Sequence, residues 1–173
     1  CCWMLKNVLP TLFTDQPHTY KKATNISERV IELTQFLHKT GLLQNKSLLP
    51  GKTTYHDSCH LLRGLGESES PRKCLGNACE LVVELEDSDR CCGFGGLFCV
   101  KYGDISTGIV DEKIDDLQAT GAQVVLGGDL GCLLNIAGRL KRLGSSIEVR
   151  HVAEVLAGIT DLPAISEPLK TKN

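Results

Sequence analysis

The chain has 173 residues, 42% hydrophobic and 23% charged, enough for one packed core and far from the composition of a disordered chain. Its 19 basic residues against 21 acidic ones leave a net charge of −2, with no Lys/Arg run longer than two, which argues against a nucleic-acid surface. No apolar stretch approaches the roughly 20 residues that span a bilayer.

Cysteine is the unusual component, with nine residues at positions 1, 2, 59, 74, 79, 91, 92, 99 and 132. An odd count, adjacent pairs and a chain large enough to build its own core speak against a disulfide scaffold. No export signal is read at the N-terminus, so a cytoplasmic location with reduced thiols is expected. Such thiols serve as ligands, nucleophiles or plain buried apolar residues.

In chain order, Pro10 and Pro17 punctuate a loop-like or single-turn entry. Ile26, Val30, Leu33 and Leu37 then recur at spacings of four, three and four, which predicts one helix over 26–39. Gly41 and Pro50 mark a connection. A first strand is expected at 53–57, followed by a helical turn from Cys59 to Gly64. Ser70 reads as an N-cap with Pro71 at the first helical position, opening a helix to about Cys79. A second strand is expected at 81–85. Ile105, Ile109, Val110, Ile114 and Leu117 trace a helical stripe that stops at Gly121, and a third strand at 123–126 runs into Gly127-Gly128-Asp129. A helix over 132–143, a fourth strand at 147–149 and a last helix at 152–156 complete the pattern.

Strands alternating with helices in this way predict an α/β fold of three layers, a mostly parallel four-stranded sheet with helices on both faces. Residues 1–50 are expected as a helical N-terminal appendage, 51–160 as the sheet domain and 161–173 as a mobile tail. Cys59 follows the first strand, Cys91-Cys92 the second, Cys132 the third and His151 the fourth. All then lie at the carboxyl edge of the sheet, where open α/β folds bind ligands.

Four thiolates from separate loops suit a tetrahedral Zn²⁺ or an iron–sulfur cluster, both of which prefer soft donors. Zinc ribbons commonly use closely spaced cysteine pairs, whereas Cys59 and Cys91 are 32 residues apart and Cys92 and Cys132 are 40 apart. The backbone must bend sharply if Cys91 and Cys92 are to serve one site, and Gly93, Gly95 and Gly96 supply that freedom.

Cys59, the doublet Cys91-Cys92-Gly93 and the run Asp129-Leu130-Gly131-Cys132 resemble the cysteine-rich CCG domain of heterodisulfide reductase B subunits and glycolate oxidase iron–sulfur subunits. The strings His56-Asp57-Ser58-Cys59-His60, Cys91-Cys92-Gly93-Phe94-Gly95-Gly96, Val110-Asp111-Glu112-Lys113 and Gly128-Asp129-Leu130-Gly131-Cys132 are most similar to the iron–sulfur A subunits of bacterial lactate-utilisation complexes. The resemblance implies a [4Fe–4S] cluster on Cys59, Cys91, Cys92 and Cys132, electron transfer within a multi-subunit oxidation of L-lactate to pyruvate, and the other subunits of that complex as partners. Two departures stand out. Asp129 occupies the position of the first cysteine in the family's closing Cys-x-x-Cys, and only the second of two tandem modules is present, with Cys2 matching the last ligand of the first.

No catalytic residue is assigned, since neither a flavin fingerprint nor a nicotinamide GxGxxG occurs. The rival reading is a structural or assembly module with a tetrathiolate Zn²⁺ site. Cys74 and Cys79 are expected as buried apolar residues on one short helix, and Cys99 as a non-ligand. His56 is expected in strand packing and His60 as a solvated residue. His151 stands equally as a rim group or an ordinary helix N-terminal residue. Asp129 is expected to cap the helix near Cys132, and Arg63 and Arg90 flank ligand positions.

Overall fold

The computed structural model describes residues 1–43 and 49–168. Its N-terminal segment is helical, as expected of the appendage, with single turns at the entry and a full helix after them. A π-helical turn at Met4–Val8 and a 3₁₀ turn at Pro10–Phe13 lead into helix α1 (Pro17–Arg29), where Pro17 sits in the first turn and its missing N–H leaves no bond unmade.

The single helix expected over 26–39 is two. Val30 turns extended, with φ −66° and ψ 129°, and α2 (Leu33–Thr40) restarts from Glu32. The β-branched pair Val30-Ile31 is a poor helix interior. Glu32 meanwhile builds a capping box: its carboxylate accepts from the Thr34 amide at 2.7 Å, and the Gln35 side chain accepts from the Glu32 amide at 3.3 Å. The apolar spacing therefore ran across a break. Ile26 and Leu33 remain exposed, while Leu37 packs on the core.

The remaining elements are β1 (Leu49–His56), a π-helical turn at His60–Gly64, α3 (Glu69–Leu75), β2 (Cys79–Val83), α4 (Phe98–Lys101), α5 (Gly103–Ala119), β3 (Val124–Gly127), α6 (Leu130–Arg142), β4 (Glu148–His151) and α7 (Val152–Leu156). Helix α3 starts earlier than Ser70 and stops at Leu75, because Gly76-Asn77 is a weak helical pair. Cys79 accordingly opens β2 and does not share a helix with Cys74.

The four strands form one parallel sheet in the order β2-β1-β3-β4. The chain leaves β1 toward β2 and leaves β3 toward β4, so connections diverge from the carboxyl ends of two neighbouring strands. A crevice opens at such a switch point. In register terms it lies where His56 pairs with Gly127.

Both faces are covered. Val125 packs with Val110, Ile114 and Leu117 of α5 and with Leu133, Ile136 and Leu140 of α6. Its neighbours Val124 and Leu126 join Leu75 of α3 and Val152, Val155 and Leu156 of α7. Successive strand residues point to opposite faces, so β3 is apolar throughout, as a strand buried on both sides must be.

Beyond α7 the chain returns along β4: the Ile165 amide donates to the Val149 carbonyl at 2.9 Å and Ala164 is buried. The end of the expected mobile tail, 169–173, lies outside the described residues. Among the described residues no helix is long and apolar enough to cross a membrane.

Candidate metal centre

Strand β1 delivers the first group. Tyr55 enters the core on the α3/α7 side, so His56 faces the opposite, α5/α6 side, where it is 1% exposed. Asp57, equally buried, takes both arms of the Arg72 guanidinium at 3.0 and 2.7 Å. Arg72 also grips Glu84 and lies over the Tyr55 ring. This bidentate pair fixes the end of β1 to α3 just before the turn that carries Cys59, whose side chain is exposed.

The doublet is held from the other side. Lys113 of α5, fully buried, donates from Nζ to the Asp87 carbonyl at 3.0 Å, and burial lowers its proton affinity. Arg90 bridges Asp87, Asp116 and Glu112. Arg90 is thus an anchor of the loop on α5 rather than an idle surface charge. At Gly93 the backbone takes φ +78°, and a Cβ would meet the Ser106 carbonyl at 2.6 Å, so only glycine fits. The turn sends the two cysteines apart. Cys91 is exposed, its Sγ accepting from the Gly93 amide at 3.3 Å; Cys92 is buried, its carbonyl accepting from Asn135 Nδ2 at 2.8 Å.

Cys132 comes from the first turn of α6. Asp129 caps that helix, its carboxylate accepting from the Cys132 amide at 3.2 Å, as expected. Gly131 lets the Phe94 ring lie against the helix, since a Cβ there would sit 2.4 Å from the ring.

The donor atoms of His56, Cys92 and Cys132 lie within 4.8 Å of one another, all buried. The neighbouring Cys132 thiol holds the Cys92 thiol well below its usual range, with His56 acting in the same direction against the effect of burial. Cys132, beside that charge, is pushed well up. Burial also raises Cys59, reinforced by Cys91 and Cys92. Neither ring nitrogen of His56 has a hydrogen-bond partner. Two sulfurs and an orphaned imidazole suit a metal: donors about 2.0–2.3 Å from one ion stand about 3.3–3.8 Å apart. The residues present therefore fit a metal ion or an iron–sulfur cluster.

The other cysteines stand elsewhere. Cys74 and Cys79 are buried in the core on the α3/α7 side, with the Cys74 thiol donating to the Thr34 carbonyl at 3.5 Å. Cys99 donates to the Gly96 carbonyl at 3.2 Å. His60 is exposed and stacks on Trp3 at 5.5 Å. His151 caps α7, its Nδ1 accepting from the Ala153 amide at 3.1 Å. Arg63 pairs with Asp89 in the open. Beside the edge lies a cavity of about 410 Å³ lined by Cys2, Trp3, Ser58, His60, Asp129 and His151.

His56 is the residue that sequence reasoning placed in strand packing and the structure places beside two thiols. Its signal was present: once Tyr55 is taken as core, the alternation of β1 turns His56 toward the face that carries Cys132.

Residues 53–137 match the family model of the cysteine-rich domain CCG. The chain is 44% identical over 157 residues to lactate utilization protein A 1 of Bacillus cereus (strain AH820), covering 90% of this chain and 66% of the relative. Against lactate utilization protein A of Lysinibacillus sphaericus (strain C3-41) it is 44% identical over 158 residues, 90% of this chain and 69% of the relative. The chain thus spans about two thirds of the length of the curated relatives it matches. No solved structure matches it. With the cysteine-rich domain matched from first strand to α6 and this identity sustained over nine-tenths of its length, the chain belongs to the lactate utilization protein A family.

Proposed function

We propose that this chain is an electron-transfer iron–sulfur subunit of a multi-subunit oxidoreductase, the cytoplasmic complex that oxidises L-lactate to pyruvate. Cys59, Cys91, Cys92 and Cys132 hold a [4Fe–4S] cluster, and the other subunits of the lactate-utilisation complex are its partners. The observation that carries the reading is the meeting of buried Cys92 and Cys132 at the β1/β3 switch point, with Cys59 and Cys91 on the adjoining exposed loops. The name borne by the relatives supplies the substrate.

A bound cluster supplies one-electron transfer. The protein's own part is to place and shield it. Gly93 turns the doublet, Lys113 and Arg90 hold its loop on α5, and Asp57–Arg72 fixes the approach to Cys59. Residues 51–160 form the cluster domain and 1–50 a helical segment, the remnant of or linker to a first module.

A second reading, a structural zinc module, draws on Asp129, which is engaged in capping α6 and adds no thiolate. Anaerobic purification separates the two. Broad visible absorption with iron and sulfide in matching amounts supports the cluster, whereas a colourless protein carrying zinc overturns it.

A further inference from the structure

We propose that His56 is itself a ligand, so that the buried side of the centre is bound by an imidazole and two thiolates rather than by sulfur alone. The inference rests on the reading that this edge of the sheet holds metal, and it adds a donor outside the four cysteines.

Three observations converge. The position is structurally committed: His56 ends β1 in register with Gly127 of β3, at the point where the connections diverge, and is 1% exposed. Its neighbours are the right ones, since its donor atom and the sulfurs of Cys92 and Cys132 all lie within 4.8 Å. Both of its ring nitrogens are buried without a hydrogen-bond partner. An unsatisfied buried polar group is costly, and buried polar groups without partners are rare enough to need a cause. Metal coordination is such a cause, because imidazole is an ordinary ligand for both iron and zinc.

The contrast with the other histidines narrows the choice. His60 is exposed and stacked on Trp3, and both His151 nitrogens are engaged, by the Ala153 amide and the Gly128 carbonyl. His56 alone of these three is turned to the sulfurs with its nitrogens free. Its effect follows from known chemistry: replacing thiolate by histidine on iron raises a cluster's reduction potential.

The chain, purified anaerobically and reconstituted with ferrous iron and sulfide, answers two questions separately. Iron and sulfide content judge the cluster reading; pulsed EPR of the reduced centre judges His56. We expect the coupling of a directly bound nitrogen, changing its pattern when the protein is grown on nitrogen-15 histidine. The coupling should vanish in His56→Cys, which keeps the iron and lowers the potential. Full iron content without that coupling, or coupling that survives His56→Cys, overturns the proposal. If the chain takes up no iron, cobalt(II) serves instead. Ligand-field bands that move in His56→Cys uphold the ligand role, and identical spectra overturn it; the labelling arm needs no variant to fold.

Discussion

The molecule contains two buried cysteine pairs that differ only in where the fold puts them. Cys74 and Cys79 lie between the sheet and α3, surrounded by Leu75, Ala78, Val155 and Leu156. Cys92 and Cys132 lie on the other side of the sheet, also within an apolar core, with Leu133 and Ile136 among their neighbours. Burial does not distinguish them. What does is position along the strands: the first pair sits on α3 and at the start of β2, the second beyond the carboxyl ends of β2 and β3. Only there do the loops diverge and leave room for a third donor, His56. A buried cysteine is by default a small apolar residue; it becomes a candidate ligand when topology brings a second soft donor to it.

The sharpest way to break the comparison is metal content. Cys92→Ser or Cys132→Ser should lower bound metal at least about tenfold, since a hard hydroxyl replaces a soft thiolate, while Cys74→Ser and Cys79→Ser should leave it at the wild-type level. Elemental analysis of the four proteins checks this, and equal loss from both pairs would erase the distinction.

Next in size is the support beneath the site. Arg72→Ala strands the buried Asp57 carboxylate, and loss of one partner of a buried ion pair costs about 3–5 kcal/mol. Urea unfolding should register a loss at the lower end of that range, because Arg72 is itself partly exposed. A change below about 1 kcal/mol would mean that the pair does not hold the Cys59 turn.

Cys74→Ala trims one atom from a filled core and loses the bond to the Thr34 carbonyl, for an expected cost of about 1–2 kcal/mol with the visible spectrum unaltered. The comparison is sharpened if stability and metal content respond to opposite members of the two pairs.

The smallest effect belongs to Asp129. Asp129→Ala removes the α6 cap, worth about 1 kcal/mol, and metal content should be unaffected. Asp129→Cys should likewise leave the spectrum of the metal-loaded protein unchanged, because the side chain at this position points to the Cys132 amide. A new spectrum in that variant would place residue 129 among the donors.

Much of the fold was legible in one dimension. Four strands fall within a few residues of where composition and turn residues put them, because a doubly buried parallel strand has to be apolar and its ends have to be marked by glycine or polar caps. The spacing of Cys59, Cys91-Cys92 and Cys132 and the capping role of Asp129 were likewise readable, being properties of neighbours along the chain. The helix over 26–39 was misread where two kinds of local signal conflict: apolar period favoured continuity, but Glu32 and Gln35 cap a new start. What the sequence could not decide was which donors face one another. That Cys92 turns inward and Cys91 outward depends on Gly93 packed against the Ser106 carbonyl, and that His56 meets both sulfurs depends on β1 lying beside β3 in a particular register. The two His56 contacts join residues 36 and 76 positions apart, and only the packed sheet brings them within reach.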